Sequence, residues 1–196
     1  MINHVWGLLT HPDREWRLLH DQSETVTQHY ARHVLLLAAV PVICTYIGTT
    51  QVGWNFGGGK VIQLASMNAF FTAIVFYILI LAAVVVMGNV LYWMAHRYKP
   101  RPSRNRCIVF AGYIATPMFL SGLVALYPLI WLCLLAGTLG LCYTAYLLYS
   151  GIPNFLDIDR KEGFIVSSST LGIGVLVLEA LLAITVLLWG YGSRLL

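Results

Sequence analysis

One glutamate stands in GVLVLEALLAI, residues 174–184, a run otherwise made of apolar and small residues. A carboxyl group there could move a proton, hold a cation, or act as a neutral hydrogen-bond donor. An ionised carboxylate at the middle of a bilayer costs on the order of 2.5–3.5 kcal/mol by insertion scales, so a protonated Glu179 is expected. A second polar irregularity lies in AGYIATPMFLSG, residues 111–122. Pro117 has no N–H, so the Tyr113 carbonyl loses its helical partner and in hydrocarbon needs another. A protonated Glu179 could donate to that carbonyl, or to a hydroxyl of Thr116, Thr138 or Tyr143. Gly112, Tyr113, Thr116, Pro117 and Glu179 are therefore the expected intramembrane polar and packing core.

Other chemistries find less support. There is no GxSxG, no HExxH, and no pair of histidines is read on one helical face. His4, His11, His20, His29, His33 and His96 are read as interfacial or surface residues. Cys44, Cys107, Cys133 and Cys142 form no CxxC pair and are read as small buried apolar residues. Asp157, Asp159 and Glu162 gather in one loop, but without the turn-forming Gly of a calcium loop or a nearby His. GGGK, residues 57–60, lacks both the spaced Gly before it and the Ser/Thr after it that a phosphate loop needs. No catalytic residue, cofactor or metal is expected.

The elements that must position these groups follow from the charges. The chain has 196 residues, 59% hydrophobic and only 10% charged, against about 25% charged in a soluble domain. Residues 33–59, 61–96 and 107–156 contain no Asp, Glu, Lys or Arg, and residues 163–193 contain only Glu179. A crossing needs about 20 apolar residues. Five spans are predicted, at 34–53, 69–94, 107–127, 129–150 and 165–190, forming an all-α polytopic domain over 34–196. The third gap holds two of them, divided at ALYPLIW, where Pro128 disfavours helix at Tyr127. The exit YSGIPNFLDIDRKEGF reads as a helix end, with Gly151 as left-handed cap and Pro153 forbidding continuation.

Span three should be central. Ala111 and Ala115, and Gly112 and Thr116, are small residues four apart, the spacing that lets helix backbones approach, and Ala136 and Gly140 repeat it in span four. Residues 1–33 form a separate interfacial segment. Ile2, Val5, Trp6 and Leu9 make one apolar stripe, and HPDREW begins a second short helix with Pro12 and acids in its first turn. Trp6 and Trp16 are expected to anchor both helices on the inner leaflet.

An odd number of spans places the termini on opposite sides. With the N-terminus inside, ten Lys/Arg fall on that side and two, Lys60 and Arg194, on the other, which predicts an N-in, C-out topology. Trp54, Trp131 and Trp189 mark the outer ends of spans one, four and five, and Trp93 the inner end of span two. The loop HRYKPRPSRNR carries Arg97, Lys99, Arg101, Arg104 and Arg106, which are expected to contact anionic headgroups. Nucleic acid is not an expected partner.

The stretches VFAGYIATPMFLSGLVALYPLIW, YLLYSGIPNFLDI and SSSTLGIGVLVLEALLAITVLLWGYG, together with HPDREW near the start, resemble the bacterial inner-membrane branch of the Yip family. Its eukaryotic members interact with Ypt/Rab GTPases. The resemblance extends over nearly the whole chain and is most specific at Gly112-Tyr113…Pro117 and Tyr149…Gly151-x-Pro153. It implies five spans with a cytoplasmic N-terminus in a bacterial inner membrane. The leading expectation is a non-enzymatic scaffold or membrane-organising protein that self-associates, with an unidentified membrane or cytoplasmic protein as a further partner. The alternative is a small proton-linked transporter or channel using Glu179, and a lipid-modifying enzyme comes last.

Overall fold

The computed structural model describes residues 2–20, 25–55, 61–99 and 101–193, without the side chains of 2–4 and 189–193. The glycine run with Lys60, the Trp189 side chain and Arg194 lie outside the described residues. Two short helices open the chain, α1 (Ile2–Thr10) and α2 (Pro12–His20). Five long ones follow: α3 (Val26–Val52), α4 (Ser66–Ala95), α5 (Arg104–Leu126), α6 (Ile130–Leu156) and α7 (Arg160–Ser193). All five are long and apolar enough to cross a membrane, which makes this an all-α polytopic fold.

The helix boundaries have local causes. The first long helix starts at Val26 rather than at the expected 34, because Thr25 caps it: its hydroxyl accepts the Gln28 N–H at 3.4 Å. Within α3, residues Tyr30–Val34 and Gly48–Val52 form π-helical turns, with the Leu35 and Gly53 amides reaching back five residues. Pro117 interrupts α5 at Ala115, and Gly122–Leu126 tightens into a 3₁₀ turn. Tyr127, ahead of Pro128, leaves helical geometry at φ −117° and ψ 86°. The predicted stop at Gly151 is corrected: α6 runs through Gly151 and Pro153 to Leu156, and Asp157 ends it in the left-handed region at φ 57°.

A two-residue ribbon, β1 (Trp54–Asn55) antiparallel to β2 (Val61–Ile62), joins α3 to α4. The Asn55 amide also donates to the Pro128 carbonyl at 3.2 Å, tying this ribbon to the turn between α5 and α6.

Short connections make the long helices alternate in direction. α5 is the most buried of them and packs on α3, α4 and α6. At Gly88 the backbones of α4 and α5 come so close that a Cβ would lie 2.6 Å from the Ile108 Cα, so only glycine fits. Hydrogen bonds lock α3 to α4, where the Tyr77 hydroxyl donates to the Leu35 carbonyl at 3.0 Å and the Tyr30 hydroxyl to the Leu81 carbonyl at 3.2 Å. α7 is the most peripheral and rests on α4 and α6. The largest buried side chains, among them Trp16, Phe110, Leu91, Leu147, Ile152 and Val166, sit at the end of the bundle that holds residues 96–106, here the basic end. The opposite half is looser: from Leu182 to Leu187 every residue of α7 but Thr185 is exposed.

Candidate functional site

The proline break in α5 faces the extension of α3 that the sequence reading placed outside the membrane-spanning domain. His29 and His33, four residues apart, lie on one face of that helix and are almost wholly buried. This corrects both the reading of these histidines as surface residues and the statement that no His pair shares a helical face. Their rings stack at 5.0 Å, and the Tyr113 ring lies 4.3 Å from His29 and 4.8 Å from His33. His33 Nε2 is 3.0 Å from the Thr116 hydroxyl, beside Pro117. Gly112 makes this possible, since a Cβ there would overlap the His29 ring and come within 2.9 Å of Val34 Cγ2. The polar group that comes to the Pro117 region is thus an imidazole.

The structure brings Gly112, Tyr113, Thr116 and Pro117 together, all buried. It does not bring Glu179 to them. That side chain is exposed on α7, with no hydrogen-bond partner among the described residues. Thr138, another expected acceptor, instead donates to the Leu134 carbonyl of its own helix at 2.8 Å. The missed signal was the His-x-x-x-His spacing behind a Thr25 cap, hidden because Arg32 and both histidines pushed the expected start of the span to 34.

An aromatic cluster continues from Tyr113 toward the basic end. Trp16 of α2 is fully buried there, 5.0 Å from the Phe110 ring and 5.8 Å from Phe155, and its indole N–H donates to the Ser150 hydroxyl at 3.2 Å. Gly151 leaves the space, since a Cβ would meet Phe110 Cε2 at 2.5 Å and Trp16 Cε2 at 2.9 Å. The expectation that Trp16 anchors to lipid is corrected: it is a core residue, while Trp6 is exposed. The Tyr143 hydroxyl holds the end of α1, with the Leu9 and Leu8 carbonyls at 2.9 and 3.0 Å.

Polar contacts close the same end. His20 of α2 lies 2.8 Å from the Asp157 carboxylate and Arg106 Nη2 lies 3.7 Å from it, so Asp157 links α2, α5 and the exit of α6. Arg106 also sits 5.0 Å over the Phe155 ring. Its side chain thus turns partly inward, and about a third of it stays exposed. Arg97, Lys99, Arg101 and Arg104 are exposed, with Arg97 over Trp93 at 4.8 Å and Arg104 Nε donating to Asn89 Oδ1 at 2.6 Å. Among the described residues no three His, Cys, Asp or Glu side chains are grouped to hold a metal ion.

Between the spans lies a half-open cavity of about 360 Å³, with walls from all five long helices and from Trp54. Its lining carries no charged residue, and Glu179 is not part of it. Leu182 lines it and is also exposed outside, so the cavity communicates with the surroundings of α7.

The Yip1 domain matches residues 6–181 of the chain. Two relatives are each 61% identical over 194 residues, covering 99% of this chain and their own full length. Both are described as inner membrane protein YohC, one from Escherichia coli strain K12 and the other from Escherichia coli O6:H1 strain CFT073. No match was found among solved structures. With five apolar helices, and with relatives named for the inner membrane across their whole length, this chain is an integral inner-membrane protein that belongs to the Yip family.

Proposed function

We propose that the protein is a non-enzymatic scaffold that organises the membrane by associating with further copies of itself through α7, with its basic end in the cytoplasm. The observation that supports this most is the place of Glu179. It stands exposed near the middle of the most peripheral helix. A carboxyl group facing hydrocarbon without a partner is costly, and intramembrane acids as a rule face a protein interior.

The rest of that face fits a helix partner. Ile165, Ser169, Gly172, Leu176, Glu179 and Ala183 are all exposed and follow steps of four and three residues, which keep one seam toward a neighbour. Ser169, Gly172 and Ala183 are small, and nothing lies within 4 Å of the point where a Gly172 Cβ would be. A second copy is the fitting occupant because the seam is self-complementary: across a two-fold axis its small residues meet each other and its one carboxyl group meets its like. Two copies related by a two-fold axis along the membrane normal would set Glu179 against Glu179. Residues 163–193 hold no other charge.

At the basic end, Arg97, Lys99, Arg101 and Arg104 are exposed beside Trp93. Such clusters attract anionic headgroups at about 1 kcal/mol per cation. A proton-linked carrier would need Glu179 to face a polar cavity, and the cavity between the spans is apolar.

The test is disulfide cross-linking in native membranes, in a cysteine-free background. Gly172→Cys should give dimers, Glu179→Leu should weaken the association about 3- to 20-fold, as for loss of one interhelical hydrogen bond, and Glu179→Gln should keep it. Dimers at Leu135→Cys on α6 with none at position 172 would refute the α7 interface. A strictly monomeric protein would refute self-association altogether.

A further inference from the structure

The geometry points to a binding site for one acyl chain of a membrane phospholipid in the cavity enclosed by the five spans. This rests on observations separate from the α7 seam. The cavity, about 360 Å³, is of the size and apolar character of ligand pockets, which run from roughly 300 to 1,000 Å³. Apart from Trp54 its lining residues all belong to the spans, and it runs from their middle to the Trp54 end, so its surroundings are mostly hydrocarbon.

Water is a poor occupant. A buried water needs two to four polar partners, and the few hydroxyls in the wall are dispersed over different helices. Ser121 already donates to the Met118 carbonyl at 2.8 Å, and Thr170 to the Met94 sulfur at 3.7 Å; the buried Thr144 hydroxyl, without a partner among the described residues, is a single group where a water needs at least two. A free fatty acid fits no better, because no Lys or Arg lines the cavity to receive a carboxylate. A phospholipid chain carries no charge of its own and leaves its headgroup at the interface.

Two glycines keep the space open. Gly137 and Gly174 both line it. A Cβ on Gly137 would meet nothing within 4 Å, and one on Gly174 would touch only Met87 Cε, at 3.5 Å. Helix packing therefore does not demand glycine at either position, and the missing side chains are volume left to an occupant. The entrance lies toward the Trp54 end, where Leu182 is shared between the cavity and the exterior and α7 has no buried face. Trp54 lines the same cavity, its indole N–H held by the Thr49 hydroxyl at 3.1 Å.

The experiment uses the full chain in nanodiscs containing phosphatidylcholine with a photoactivatable diazirine near the end of one acyl chain, and adducts are mapped by mass spectrometry. Adducts should appear on wall residues Met118, Leu141 and Val177 as well as on outward residues Leu134 and Leu139. Gly137→Phe, which fills the cavity, should reduce the wall adducts at least tenfold and leave the outward ones unchanged. Gly174→Leu, on the opposite wall, gives the same readout if Gly137→Phe fails to fold. Adducts confined to outward positions, or wall adducts that survive both fillings, would overturn the proposal. A diazirine fatty acid that labels the wall in preference to the phospholipid would overturn its source.

Discussion

Adding one methyl group at position 112 would drive a Cβ into the His29 imidazole and close against Val34. Overpacking of this kind costs about 1–3 kcal/mol. Gly112→Ala should lower the midpoint of thermal unfolding, and the loss should shrink when His29→Ala is made with it, because the colliding ring is gone. Equal losses in both backgrounds would show that some other neighbour sets the need for glycine. Gly112 and Pro117 were legible in the sequence as irregularities of a span, and their need for company follows from backbone chemistry alone. The identity of the company was not legible. A glutamate in an apolar run attracts notice, whereas His29 and His33 sit beside Arg32 in a segment polar enough to pass for a tail. Only the fold shows that this segment is helical and turned inward.

At the scale of elements, α2 packs on α6 along a buried face of Pro12, Glu15, Trp16 and Leu19, and α1 rests on α2. Trp16 is the largest side chain of that face, set between Phe110, Phe155 and Ser150. Trp16→Ala should cost about 3–5 kcal/mol, the range for large aromatic truncations in cores. We expect the first 20 residues to detach, read as rapid proteolytic cleavage near 10–20 while the five-span remainder stays intact. Continued protection would place the anchoring energy in Tyr143 and Asp157 instead. The amphipathic stripe of these helices was evident from spacing. Their docking site was not, because tryptophans near membranes prefer interfaces as a rule, and the opposing surface is assembled from residues more than 90 positions away. The exit of α6 misled for a related reason. Gly151 reads as a cap in isolation, but its missing Cβ serves Phe110 and Trp16, and the helix continues beneath them.

At the scale of the molecule, five spans were legible because gaps between charges are a one-dimensional record of bilayer thickness. The taper from a dense basic end to an open opposite half was not, since lipid-facing and cavity-facing residues are equally apolar. Orientation has its own test. In a cysteine-free background, Lys99→Cys should resist a membrane-impermeant maleimide in spheroplasts and Gln63→Cys should react; the reverse pattern would invert the topology argued from ten against two basic residues. The buried position of Trp16 also bears on biogenesis. Its hydrogen-bond partner Ser150 is 134 residues further along the chain. At about 5–20 residues per second, the ribosome supplies that partner roughly 7 to 27 s later. Until then these two helices have an apolar stripe and nowhere to put it, so they are made before the spans and settle after them, and the nascent chain needs a temporary host for the stripe.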